Sequence, residues 1–242
     1  MENYYYILII FSLLIYILYI RNKKSIEMHS QTSENIINYD IQDKINVIDN
    51  FCTNHTYPLD NKELMNVYIV NILTKNECKW IIDESEKYAD IHGWRQERSD
   101  GYKIEDNLVI KISNIFYFID NIIFTRIVKY YEKYFNVPAD FIGIYDCSII
   151  KYKEDGVRSL DSHVDIGDFS FILSLNDEFE GGYTYFDFIE KKFISPVGSA
   201  LLFCAHNKHR GLEITKGTRY ILVGFLQINK RNYCNKMMNL NK

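Results

Sequence analysis

The chain has little proline, only three residues in 242, and none of its five cysteines forms a C-x-x-C pair. Without such a pair, Cys52, Cys78, Cys147, Cys204 and Cys234 do not spell a zinc motif. Their odd number also excludes a complete disulfide framework, although one bridge remains open. Cys147 and Cys204 lie in apolar sequence and read as small buried hydrophobes. A positive excess is missing too: 28 Lys and Arg against 32 Asp and Glu give a net charge of -4 and a pI near 5.9. That balance leaves no electrostatic footprint for a nucleic acid, and no such partner is expected. No internal repeat is present. The scarcity of proline beside abundant Tyr, Ile, Asn and Lys reads as codon bias rather than mechanism.

What is present begins with an uncharged apolar run at residues 3–20, NYYYILIIFSLLIYILYI. Its length is at the lower edge for a transmembrane helix. Tyr4, Tyr5 and Tyr6 at one end and Tyr19 at the other suit the two membrane interfaces. No basic stretch precedes the run and no small-x-small site follows it, so it reads as an uncleaved anchor rather than a signal peptide. A single-pass membrane protein is the expectation. Arg21, Lys23 and Lys24 after the run favour a cytosolic catalytic domain, whereas the sequon Asn54-His55-Thr56 and the family likeness given below favour a lumenal one. The side stays open. Residues 21–60 are polar and mixed in charge and read as a linker, 61–232 as the folded domain, and 233–242 as a polar tail.

Within the domain, VYIVNIL near residue 66 has the β-branched composition of a strand. Thr74-Lys75-Asn76-Glu77 is a capping-box pattern that opens a helix through about Tyr88, burying Ile81 and Ile82. A second helix is predicted over 117–135 from Phe118, Ile119, Ile122, Ile123, Ile127, Tyr131 and Phe135, ended by Asn136-Val137-Pro138. From about residue 140 the period changes to two. FIGIYDCSIIKY, FSFILSL, YTYFDF, KKFISP, SALLFCA and TRYILVGFLQI follow as short β-type runs, with Asn176-Asp177 and Gly181-Gly182 as turns. Helices followed by many short strands predict an α+β fold, a jelly roll (double-stranded β-helix) supported by N-terminal helices and preceded by one transmembrane helix.

Three residues of the strand region point to chemistry. His163 and Asp165, two apart, share one face of an extended strand and can share an ion. Two imidazoles and a carboxylate can cap one face of Fe(II) and leave open positions for a cosubstrate and oxygen. The third ligand comes from Ala205-His206-Asn207-Lys208-His209, where two histidines are available. Arg219 lies on the same side of its strand as Ile221, Val223 and Phe225, an otherwise apolar face. A buried arginine needs an anionic partner, either a nearby Asp or Glu or the distal carboxylate of 2-oxoglutarate. Gly217 just before it lets the chain turn into the strand.

The run from Ile149 to Ile228 resembles the catalytic domain of the prolyl 4-hydroxylase and lysyl hydroxylase class of 2-oxoglutarate/Fe(II) dioxygenases. Tyr152, His163-Val164-Asp165, Glu180-Gly181-Gly182-Tyr183-Thr184-Tyr185-Phe186, His209-Arg210-Gly211-Leu212 and Lys216-Gly217-Thr218-Arg219-Tyr220 carry the resemblance. It implies that His163 and Asp165 bind iron. It selects His209, ten positions before the basic residue, as the distal ligand and leaves His206 a bystander. It assigns Arg219 to the cosubstrate and, eleven residues before the first histidine, Tyr152 as its hydrogen-bonding companion. Fe(II), 2-oxoglutarate and L-ascorbate are the implied cofactors, and a protein or peptide, collagen-like sequences included, is the implied substrate.

Some features depart from the collagen-type prolyl enzymes. These usually carry lysine where Arg219 stands, and Ser-Leu-Asp-Ser-His (159–163) with Gly-Thr-Arg-Tyr (217–220) looks nearer the lysyl type. No separate peptide-binding domain is expected within these 242 residues. The expectation is hydroxylation of peptidyl proline, with peptidyl lysine as the alternative and a non-catalytic membrane-tethered jelly roll as a third reading. Asp168 is either a substrate contact or a turn residue, and His55 reads as a surface side chain.

Overall fold

The longest strand of the molecule is apolar on both faces, and the architecture follows from that. The computed structural model describes residues 66–97, 101–135 and 137–228. In chain order these form β1 (Tyr68–Asn71), α1 (Lys75–His92), β2 (Arg95–Glu97), β3 (Lys103–Leu108), α2 (Ser113–Ile122), a π-helical turn (Ile123–Ile127) and α3 (Val128–Phe135). There follow β4 (Ile142–Lys153), β5 (Leu160–His163), β6 (Phe169–Ser174), β7 (Phe179–Gly181), β8 (Thr184–Phe186), β9 (Lys191–Phe193), β10 (Ser199–Cys204), β11 (His209–Gly211) and β12 (Ile214–Ile228).

The major sheet has the order β1-β10-β6-β12-β4-β3-β2, with β7 paired to the beginning of β12; the minor sheet runs β5-β11-β8-β9. Every pairing is antiparallel, as the turn-rich sequence predicts. On β12, Leu222, Leu226 and Ile228 enter a core under the helices, while Ile221, Val223 and Phe225 enter a second core between the sheets. Strands β4, β6 and β10 alternate in the same way: Ile149, Phe171 and Leu202 face the helices, and Ile150, Ile172 and Leu201 face the minor sheet. The sheets close over the second core, and the site lies there.

The helical layer confirms the capping box and shifts some boundaries. Glu77 N–H donates to the Thr74 hydroxyl, and Thr74 N–H donates to the Glu77 carboxylate. Helix α1 runs on to His92, where Gly93 at φ 76° ends it. The second helix starts at Ser113 rather than 117 and is interrupted. Along its buried face Ile115, Ile119, Ile123, Ile127, Tyr131 and Phe135 recur every four residues, with Ile122 and Val128 buried beside them. At about 100° per residue such a stripe drifts roughly 40° per step. The wider π-turn at Ile123–Ile127 takes up part of that drift and keeps the stripe on the sheet.

One expectation is corrected. Among the described residues no helix is long and apolar enough to cross a membrane, which conflicts with a single-pass membrane protein. The apolar run 3–20, the polar stretch 21–60, the sequon at 54–56 and the tail 233–242 lie outside the described residues.

Candidate metal centre

Strand register brings the two histidines together. His209, the first residue of β11, is the direct cross-strand partner of His163, the last residue of β5. Their rings lie 4.5 Å apart between centroids. Asp165 stands just beyond the end of β5, and its N–H donates to Ala205 O at 2.9 Å. Its carboxylate reaches both imidazoles, with Oδ1 3.3 Å from His163 Nε2 and Oδ2 3.6 Å from His209 Nε2. The three ligand atoms lie within 4.8 Å of one another.

Protonation suits this set to a cation. His163 Nδ1 lies 2.7 Å from Asp161 O and His209 Nδ1 2.9 Å from Asn207 O. A backbone carbonyl only accepts, so both Nδ1 atoms carry a proton, and Nε2 of each ring is the atom left to face the centre. Burial, with the neighbouring His163, holds His209 below its ordinary pKa and favours the neutral imidazole, against the pull of Asp165. Phe203 and Phe186 wall its ring at 4.9 and 5.5 Å. Burial alone would raise the Asp165 carboxyl, yet the facing histidines keep it below the usual range. Its Oδ2 is buried without a hydrogen-bond partner. A buried carboxylate whose two oxygens each face an imidazole Nε2 fits a divalent metal.

Arg219 lines the same cavity, of about 310 Å³, together with Tyr152, Thr184, Ile150, Ile172, Val223 and the three ligands. It faces Tyr152 directly across β12 and β4. The guanidinium is buried, its Nε has no hydrogen-bond partner, and desolvation pushes its pKa down to about 10. Its guanidinium carbon sits 5.9 Å from the centre of the Phe179 ring. Among the described residues no Asp or Glu is recorded as its ion-pair partner, an arrangement that suits the guanidinium to a ligand anion. Gly182 makes the room. A Cβ on Gly182 would stand 3.2 Å from Arg219 Cδ and 2.2 Å from Ile214 Cδ1.

The residues singled out in the sequence thus converge, and two others do not. His206 is exposed and stays outside the cluster. Asp168 is a turn residue: buried, it accepts from Ile228 N–H at 2.7 Å through Oδ2 and stitches the turn after Asp165 to β12. The sequence reading missed Tyr102, whose ring stands 5.5 Å from that of His163, and Thr184, buried in the cavity wall. Thr184 was recoverable, since on its strand it shares a face with Phe186. Tyr102 carried no signal.

No protein-family model matches the chain. Over 175 residues it is 26% identical to the multifunctional procollagen lysine hydroxylase and glycosyltransferase of Caenorhabditis elegans, covering 66% of this chain and 24% of that protein. Over 189 residues it is 28% identical to the rat multifunctional procollagen lysine hydroxylase and glycosyltransferase LH3, covering 72% and 26%. The chain therefore spans about a quarter of the length of these curated relatives. In three dimensions it resembles the viral collagen prolyl hydroxylase of Paramecium bursaria Chlorella virus-1 solved with 2-oxoglutarate. The TM-score is 0.53 at 15% identity, covering 67% of this chain and 95% of that one. The chain is thus similar in sequence to procollagen lysine hydroxylases and in fold to a 2-oxoglutarate-binding viral hydroxylase, and its two histidines and carboxylate are a donor set that suits Fe(II).

Proposed function

We propose that the chain hydroxylates peptidyl proline, with His163, Asp165 and His209 as iron ligands and Arg219 and Tyr152 as the cosubstrate clamp. The supporting observation is one cavity that holds a neutral-histidine and carboxylate triad beside a buried, uncompensated arginine. When bound, Fe(II) with 2-oxoglutarate and O2 would supply the oxidising chemistry: one oxygen atom of O2 would enter the substrate C–H bond to give C–OH, and the other would enter succinate as CO2 leaves.

The protein does the rest. Both histidines present Nε2 because their Nδ1 protons are committed to backbone carbonyls. Arg219 holds the far carboxylate of the cosubstrate by charge-assisted hydrogen bonds, with Tyr152 beside it, and so fixes the end that reacts. Ile150, Ile172, Ile221 and Val223 give the cavity a largely apolar wall. Ascorbate is the expected reductant.

Proline is favoured by the cavity wall. Among the described residues lining it, the only carboxylate is the metal ligand Asp165, so no acid waits for a lysine ammonium. Lysine is the second reading, because the sequence relatives bear that activity in their names. The test offers proline-rich and lysine-containing collagen-like peptides with Fe(II), 2-oxoglutarate and ascorbate, and locates added oxygen by fragmentation mass spectrometry. Oxygen on proline is expected, and oxygen on lysine promotes the second reading. His163→Ala and Asp165→Ala should abolish succinate formation; substantial residual turnover in either contradicts the ligand assignment.

A further inference from the structure

We propose that Ser170 is a positioning residue for Asp165: its hydroxyl holds one carboxylate oxygen and leaves the other to the metal. The inference rests on reading His163, Asp165 and His209 as a metal centre. It starts from β6, whose Phe169, Phe171 and Leu173 face the helices while Ile172 faces the cavity. Alternation puts Ser170 on the Ile172 side, a hydroxyl in an otherwise apolar wall. The residue is 0% exposed, and its Oγ has no hydrogen-bond partner. Asp165 Oδ2 is in the same condition. Two complementary orphans, one donor and one acceptor, are thus buried in the same part of the molecule. Unmatched, each carries the desolvation cost of a buried polar group left without a bond.

The backbone around both is already fixed. Asp165 N–H donates to Ala205 O, Ala205 N–H to Asp168 O, and Asp168 N–H to Leu226 O, so the turn is pinned to the ends of β10 and β12. From the helix side, the Tyr131 hydroxyl donates to Ser170 O at 2.6 Å and anchors β6 at this residue. What stays undetermined is rotation of the Asp165 carboxylate, a broad and roughly two-fold torsion. Ser170 lies close enough to contribute to the low carboxyl pKa of Asp165, although the two do not yet make a bond of full hydrogen-bond geometry. A metal drawing on one oxygen turns the other toward a donor, and Ser170 Oγ is a donor in need of an acceptor.

The decisive comparison uses Ser170→Thr and Ser170→Val, which share a shape and differ by the hydroxyl. Cobalt(II) is titrated into each full-length protein and followed by its ligand-field absorption, with apo melting temperatures recorded in parallel. The threonine protein should bind within about threefold of the parent, and the valine protein roughly 10–100-fold more weakly. The valine protein's cobalt spectrum should also change, while the two apo melting temperatures agree. Equal affinities and spectra for Thr and Val overturn the proposal and leave the metal centre intact. A parent protein that binds no cobalt overturns both readings. If both variants fail to fold, Ser170→Ala takes their place, with unchanged affinity again decisive against the proposal.

Discussion

At the scale of single residues, Arg219 carries the heaviest cost and the clearest purpose. Its guanidinium is buried between two sheets with Nε unsatisfied, and its pKa falls to about 10. That depression corresponds to roughly 3 kcal/mol of penalty on the charged form. The unfolded chain holds this proton more tightly, so the penalty is complete below about pH 10 and fades as pH rises through that value. A dicarboxylate bound there, as proposed, would offset it by charge-assisted hydrogen bonds. Arg219→Leu should therefore leave the melting temperature of the ligand-free protein equal or higher. The KM for 2-oxoglutarate should rise at least tenfold, with cobalt affinity unchanged. An unaltered KM contradicts the assignment. The position of Arg219 was legible, because period-two alternation fixes the face of a strand residue. The choice between His206 and His209 was not legible that way: a turn intervenes after Cys204, and strand parity cannot be carried through a turn. Only the β5–β11 register, a non-local fact, sets His209 opposite His163.

At the scale of elements, local signals succeeded where one residue pattern had one structural outcome. The Thr74–Glu77 box is such a case, and Arg126 from the π-turn adds an ion pair to Glu77 at 2.9 Å. Thr74→Ala removes the cap and should cost about 1 kcal/mol. For a domain of this size that lowers the melting temperature by roughly 2–4 °C, without changing metal affinity. A loss of cobalt binding would mean that α1 reaches the site by a route its packing does not suggest. Strands β2 and β3 were invisible for the opposite reason. KIEDNL buries Glu105, Asp106 and Asn107, and no hydropathy pattern announces buried acids. Asp106 is tolerated because Arg95 grips both its oxygens, at 2.6 and 2.7 Å, across the β2–β3 pair. The π-turn was hidden as well, since a four-residue repeat looks helical until its accumulated drift is counted.

At the scale of the whole molecule, the candidate site is shared between the two sheets. His163 and His209 belong to the minor sheet, and Arg219 and Tyr152 to the major one. With the proposed roles, iron and 2-oxoglutarate bound together would tie one sheet to the other, whereas iron alone would engage only the minor sheet and the turn after it. The cosubstrate alone would have its Arg219 end but lack the metal proposed to receive its other end. Ligands that bind only the folded state stabilise it by mass action, by about 2.7 kcal/mol at a hundred times Kd. Under anaerobic conditions Fe(II) should give a modest rise in melting temperature and 2-oxoglutarate almost none. The pair should exceed the sum of the two by several degrees, roughly 2–4 °C for each extra kcal/mol. In Arg219→Leu the excess should vanish while the iron-only rise persists, because the bridge is cut on the major-sheet side alone. Strict additivity in the parent protein would mean that the two ligands do not meet, and that Arg219 holds its anion for some other purpose.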